Sequence, residues 1–122
     1  MRKHILVVDD DTALLSLLKM RLESNGHTVD TAEHGWDGLT KLEYEDYDVV
    51  LLDYMMPGIT GSTVLQYIQE RHPSVPVIMT TGHRSSQVVA QALAGVPRAC
   101  LVKPVNSVEL AQALQCCVGT AA

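Results

Sequence analysis

Short apolar runs alternate along the chain with longer segments in which apolar residues recur at helical spacing. His4 to Val8 reads as a buried strand, stopped by Asp9-Asp10-Asp11. Thr12 to Ser24 reads as a helix with Leu14, Leu17, Leu18 and Leu22 on one face, flanked by Leu15 and Met20. Asp11 or Thr12 can cap it, and Asn25-Gly26 ends it. A second strand is expected over His27 to Ala32 and a second helix over Trp36 to Tyr44, with Trp36 partly exposed. A strongly apolar third strand runs from Tyr47 to Leu52 and stops at Asp53. After the Pro57-Gly58 loop, Ser62 to Arg71 predicts a third helix and Pro76 to Thr80 a fourth strand. Ser85 to Ala94, with Gly95 as C-terminal cap, predicts a fourth helix. Ala99 to Val102 is a short fifth strand, and Asn106 to Val118 a fifth helix capped by Asn106 or Ser107.

Five such strand–helix units imply an α/β fold. Near-continuous apolar strands alternating with helices indicate a parallel sheet covered on both faces. Right-handed crossovers leave every strand's C-terminal end on one edge, where doubly wound sheets bind their ligands. The residues expected at that edge are Asp9 and Asp10, then Asp53, then Thr80 and Thr81, then Lys103. Singly, each has an ordinary reading: a helix cap, a turn aspartate, a strand-end hydroxyl, a surface lysine. Together they form a chemical set. Three close carboxylates repel one another, and a divalent cation relieves that repulsion; oxygen donors with room for water and phosphate suit Mg²⁺. A lysine ammonium and a threonine hydroxyl can hold an oxyanion, and a carboxylate can act as nucleophile to form an aspartyl phosphate.

Composition narrows the field. The chain has 122 residues, enough for one domain, and is 47% hydrophobic without a single Phe. Its formal net charge of −5 argues against direct nucleic-acid binding by this domain. No apolar run is long enough to span a bilayer, so no membrane association is expected. Cys100, Cys116 and Cys117 form neither a disulfide framework nor a zinc site, and free thiols suit the cytoplasm. The five histidines show no metal-ligand spacing; His83 is expected to border the edge site. A nucleotide-binding domain is excluded because no Gly-rich phosphate loop follows the first strand. A phosphatase acting on a small substrate would need a cap or pocket for which there is no insertion.

Four motifs in order carry a resemblance: Ile5-Leu6-Val7-Val8-Asp9-Asp10-Asp11; Leu51-Leu52-Asp53-Tyr54-Met55-Met56-Pro57-Gly58-Ile59-Thr60-Gly61; Pro76-Val77-Ile78-Met79-Thr80-Thr81-Gly82; and Lys103-Pro104. With this spacing the chain resembles the receiver domain of response regulators over its whole length, residues 1–122. The resemblance implies a single-domain flavodoxin-like (βα)5 fold with strand order 2-1-3-4-5 and a cis Lys103-Pro104 bond. It implies Asp53 as phosphoacceptor, and Mg²⁺ held by Asp10, Asp53 and the Met55 backbone carbonyl, with Asp9 acting through water. It implies Thr81 and Lys103 as the groups that contact the phosphoryl oxygens. The phosphoryl donor would be a histidine kinase or histidine phosphotransfer protein. Output would pass to a domain of the parent protein or through a homodimer. Such a domain assists its own phosphorylation and dephosphorylation without being an enzyme for a separate substrate.

The sequence also departs from the family. The switch position three residues before the lysine, usually Tyr or Phe, is Cys100. This suggests a domain that is phosphorylated but transmits its state differently, with a degenerate, phosphorylation-independent interaction module as the alternative. Gly95 to Cys100 is one residue longer than the usual turn and contains Pro97. Residues 85–122 carry only Arg98, Lys103 and Glu109 as charges, so any contact made there would rest on apolar and amide groups. The wide apolar stripe of the first helix could dock a phosphodonor protein.

Overall fold

A computed structural model describes residues 2–82 and 99–119. The chain order is β1 (His4–Val8), α1 (Thr12–Ser24), β2 (Thr28–Ala32), α2 (Gly35–Tyr44), β3 (Val49–Asp53), α3 (Gly61–Arg71), β4 (Val77–Thr81), β5 (Ala99–Val102) and α4 (Ser107–Gly119). The helix expected over Ser85 to Ala94, its Gly95 cap, the long turn before Ala99 and His83 lie outside the described residues. The strands form one parallel sheet in the order β2-β1-β3-β4-β5, and the Lys103–Pro104 bond is cis.

Alternation along the strands divides the core into two layers. Ile5, Val7, Val49, Leu51, Ile78 and Leu101 pack under α1 and α4, against Leu15, Leu18, Leu22, Leu110 and Leu114. Leu6, Val8, Val50, Leu52, Val77 and Met79 pack on the other face, against Leu39, Leu42, Val64, Leu65 and Ile68 of α2 and α3. Aliphatic residues thus fill both layers in the absence of phenylalanine. The stripe of α1 is shifted from the expected one: Leu15, Leu18 and Leu22 are buried, Leu14 is half-buried, and Leu17 and Met20 are exposed. The i, i+3, i+7 set was present in the sequence, but a helix this rich in leucine offers two overlapping stripes, and packing on the sheet selects one.

Side chains close the ends of the elements. The Asp11 carboxylate accepts from the Leu14 N–H and caps α1; Thr60 caps α3 through the Thr63 N–H; Asn106 Oδ1 accepts from the N–H groups of Val108 and Glu109 at α4. The outer edge of β2 is covered by lysines: Lys19 Nζ donates to the Val29 carbonyl and Lys41 Nζ to the Thr31 carbonyl. Such cationic cover keeps an edge strand from recruiting another chain. His4 joins β1 to its neighbours, with its N–H on Asp48 Oδ2 (2.7 Å) and its ring Nε2 3.0 Å from Asp30 Oδ2. Tyr47 Oη donates to the same Asp30 oxygen at 2.7 Å. Burial raises the Asp30 carboxyl, but the bonds from Tyr47 and His4 outweigh it and leave its pKa below the ordinary value.

Two strands extend one residue beyond their expected ends. β3 includes Asp53 and β4 includes Thr81, because the ladder continues: the Tyr54 N–H donates to the Thr80 carbonyl (2.8 Å) and the Lys103 N–H to the Thr81 carbonyl (2.7 Å). At the other ends β2 begins at Thr28, β3 at Val49 and β4 at Val77, each later than the apolar pattern suggested. The loop after β3 returns tightly. A Cβ at Gly61 would stand 2.4 Å from the Asp53 carbonyl oxygen and 2.6 Å from Tyr54 Cα, so only glycine lets α3 start against that backbone.

Candidate phosphoacceptor site

The fold brings Asp9, Asp10, Asp53, Thr81 and Lys103 to the C-terminal edge of the sheet. β1 is flanked by β2 and β3, so the residues after β1 lie beside the end of β3. Asp9 continues β1 by donating its N–H to the Ala32 carbonyl (3.0 Å). Asp53 ends β3 in register with Thr80, and Thr81 ends β4 in register with Val102. The site is therefore an outgrowth of the sheet ladder, and its side chains inherit the rigidity of the strands.

Lys103 crosses the acidic pair. Its Nζ lies 2.8 Å from Asp9 Oδ2 and 3.3 Å from Asp53 Oδ1. The other Asp9 oxygen, Oδ1, accepts the Asp11 N–H at 2.9 Å. Both oxygens of Asp9 are thus engaged, whereas Asp10 is exposed. One carboxylate oxygen from each of Asp9, Asp10 and Asp53 lies within 4.8 Å of the other two. The Met55 backbone N–H donates to the Asp53 carboxylate, while the Met55 side chain points to solvent, 62% exposed. Thr80 and Thr81 are both buried. Cys100 is half-buried on the α2–α3 face, in register with Met79, and burial raises its thiol pKa.

The electrostatics are strained. Asp53 is 3% exposed. Burial, then the Asp9 charge, pushes its pKa up to about 6 against the pull of Lys103 and the Met55 N–H. Burial also disfavours the Lys103 ammonium, but its contacts with Asp9 and Asp53 outweigh this and hold its pKa above the usual lysine value. One cation therefore faces a cluster of three carboxylates, and the excess negative charge is left for another cation to neutralise. The oxygen-only donor set, with two carboxylates buried and one open to solvent, suits Mg²⁺.

Among the sequence-predicted residues, the structure brings Asp9, Asp10, Asp53 and Lys103 into one cluster and places Thr81 at the adjoining strand end. Sequence reasoning missed the direct contact of Lys103 with Asp9. The signal was faint: residues 85–122 carry a single acid, Glu109, so a lysine held at the sheet edge had to find its partners on earlier strands.

A stability prediction follows from the direction of the Asp53 shift. A carboxyl whose folded pKa is raised holds its proton more tightly in the folded state, so stability falls as pH rises from about 4 to about 6. Without divalent cations, Asp53→Asn removes this loss. At pH 7.5 it should stabilise the protein by on the order of 1–3 kcal/mol in urea unfolding, with the difference vanishing below pH 4. An equal or lower stability of the variant at pH 7.5 would contradict the assignment of strain to Asp53.

Comparisons with known proteins agree with this geometry. The family model for the response regulator receiver domain matches residues 5–115. The transcriptional regulatory protein GlrR of Escherichia coli (strain K12) is 43% identical over 112 residues, covering 91% of this chain and 25% of GlrR. TcrA of Mycobacterium tuberculosis is 36% identical over 107 residues, 88% of this chain and 42% of TcrA. The chain thus spans a quarter to under half the length of these relatives. Among solved structures, a CheY-like receiver domain from Methanospirillum hungatei JF-1 superposes with a TM-score of 0.86 at 34% identity, covering 94% of this chain and 92% of that one. TrrA of Thermotoga maritima, in complex with Mg²⁺-BeF, gives a TM-score of 0.86 at 33% identity, covering 94% and 98%. A flavodoxin-like sheet in the order 2-1-3-4-5, an acidic cluster bridged by one lysine, and a family match over nearly the whole chain lead to one assignment: the chain belongs to the response regulator receiver domains of two-component systems.

Proposed function

We propose that the domain accepts a phosphoryl group on Asp53 from a phosphohistidine of a histidine kinase or phosphotransfer protein. The observation that carries this reading is the Lys103 ammonium 3.3 Å from Asp53 Oδ1, at a carboxylate cluster open to solvent only through Asp10. An Asp53 oxygen forms the new bond to phosphorus as the bond to the donor's imidazole nitrogen breaks. The Lys103 ammonium, already facing that carboxylate, pairs with phosphoryl oxygen, and the Thr81 hydroxyl donates from the end of β4. Asp10, Asp53 and the Met55 backbone carbonyl would hold Mg²⁺ directly. Asp9, whose oxygens are occupied by Lys103 and the Asp11 N–H, would act through water. When bound, the ion supplies the positive charge that lets carboxylate and phosphoryl group approach. The similarity to TrrA, solved with Mg²⁺-BeF, supports the same ligand chemistry here.

The exposed Leu17 and Met20 on α1 offer the donor protein apolar side chains to dock on. The relatives are longer transcriptional regulators, which supports output through a further domain or through pairing of two copies. No helix of the described residues is long and apolar enough to cross a membrane, in keeping with a cytoplasmic role.

Intact mass after incubation with acetyl phosphate tests the proposal. One added phosphoryl group is expected, dependent on Mg²⁺ and lost in Asp53→Asn. No adduct in the wild type, with beryllofluoride also failing to bind, would overturn it.

Cys100 sets the mode of transmission. A cysteine side chain has no ring to turn inward beside Thr81, so phosphorylation should leave the amide signals of residues 83–98 nearly unchanged. Amide shift changes on adding beryllofluoride should concentrate at the ends of β3, β4 and β5 in the wild type, and spread across residues 83–98 in Cys100→Tyr. A full-scale response of residues 83–98 in the wild type would refute this.

A further inference from the structure

Among the described residues, Lys19, Lys41, Arg71 and Lys103 each pair with a carboxylate. Arg2, Lys3 and Arg21 do not, in a chain of net charge −5. All three lie at one end of the molecule, opposite the phosphoacceptor edge. Arg2 and Lys3 precede β1, and Arg21 is in the last turn of α1. Arg2 Nε donates to the Gly26 carbonyl (3.4 Å) in the turn that follows α1. Lys3 is only 7% exposed, and a lysine that deep is ordinarily paired.

Two of these cations, Lys3 and Arg21, border a groove of about 350 Å³ between α1 and α4. Lys3, Arg21 and His27 line it together with Leu22, Leu110 and Leu114, and among the described residues no acidic side chain does. His27 Nδ1 accepts the Lys3 N–H at 3.2 Å, so the neutral ring carries its proton on Nε2 and keeps a donor there. Burial, then neighbouring positive charge including Lys3, lowers the His27 pKa. Arg21 Nη1 has only a long contact, 3.5 Å, to Ser107 Oγ across the groove.

We propose that this groove binds a small amphipathic anion, with a carboxylate or phosphate head group on Lys3 and Arg21 and an apolar body along Leu22, Leu110 and Leu114. Positive charge without a carboxylate partner beside an apolar wall is complementary to such a ligand and to neither a neutral lipid nor a free inorganic ion. The volume falls within the range of small-ligand pockets, roughly 300–1,000 Å³. A peptide helix lying across α1 and α4 would leave Lys3 out of reach, whereas a group entering the groove meets it.

Octanoate and octyl phosphate are the probes, with octanol as the neutral control and amide shifts of the full chain as the readout. Saturable shifts at Lys3, Arg21, His27, Leu110 and Leu114 are expected with at least one anion, and the tighter of the two names the head group. Octanol should bind at least about fivefold more weakly. Arg21→Gln and Lys3→Gln should each weaken the anion by about five- to tenfold, as expected for a charge-assisted contact. Arg21 is exposed, so its variant tests the proposal even if Lys3→Gln unfolds. Acetyl phosphate labelling should be unchanged in Arg21→Gln. Absence of saturable shifts from both anions, equal binding of octanol, or unaltered affinity in Arg21→Gln would overturn the proposal.

Discussion

The ammonium of Lys103, 2.8 Å from Asp9 and 3.3 Å from Asp53, holds together charges that would otherwise drive the sheet edge apart. Two of the three clustered carboxylates are almost wholly buried, and like charges in that setting cannot all stay ionised without help. The lysine supplies one compensating charge and leaves a deficit. Burial, then the Asp9 charge that this deficit leaves uncompensated, raises the Asp53 pKa and makes the pocket a receptor for a divalent cation and, with it, a phosphoryl group. Stability is given up at the place where ligand chemistry is gained, the usual arrangement at functional sites.

The rest of the fold positions those few atoms. The strand order sets β1 beside β3 and β4 beside β5, so residues distant in sequence meet at one edge. Ladder bonds extend into the site at Asp9, Tyr54 and Lys103, and fix where its side chains begin. The aliphatic layers above and below the sheet leave little room for those strands to shift. At the Asp53 loop Gly61 lets the start of α3 return close against the Asp53 and Tyr54 backbone.

Much of this was legible in the chain. Short, near-continuous apolar runs stopped by Asp9, by Asp53 and at Thr80-Thr81 marked both the strands and the edge, and Lys103 followed the fifth run. Ala99–Val102 was recovered to the residue because a charge-poor run there is bounded by Arg98 and Lys103. Other features were hidden because they depend on contacts between distant segments. The stripe of α1 was ambiguous until the sheet selected Leu15 over Leu17. The strand ends at Asp53 and Thr81 depended on hydrogen bonds to neighbouring strands, which no single-strand pattern encodes. The unpaired cations at Lys3 and Arg21 became visible only when the helix packing showed which acids lie out of their reach.

The central claim is that the acidic cluster is strained without a divalent cation and relieved by one. Urea unfolding at pH 7.5 across a series of Mg²⁺ concentrations tests it most directly. Wild-type stability should rise with Mg²⁺, by about 1.4 kcal/mol for each tenfold increase above the dissociation constant. The rise should be largely lost in Asp10→Asn and Asp53→Asn. A wild-type protein whose stability does not respond to Mg²⁺, or variants that respond as fully as the wild type, would contradict the account.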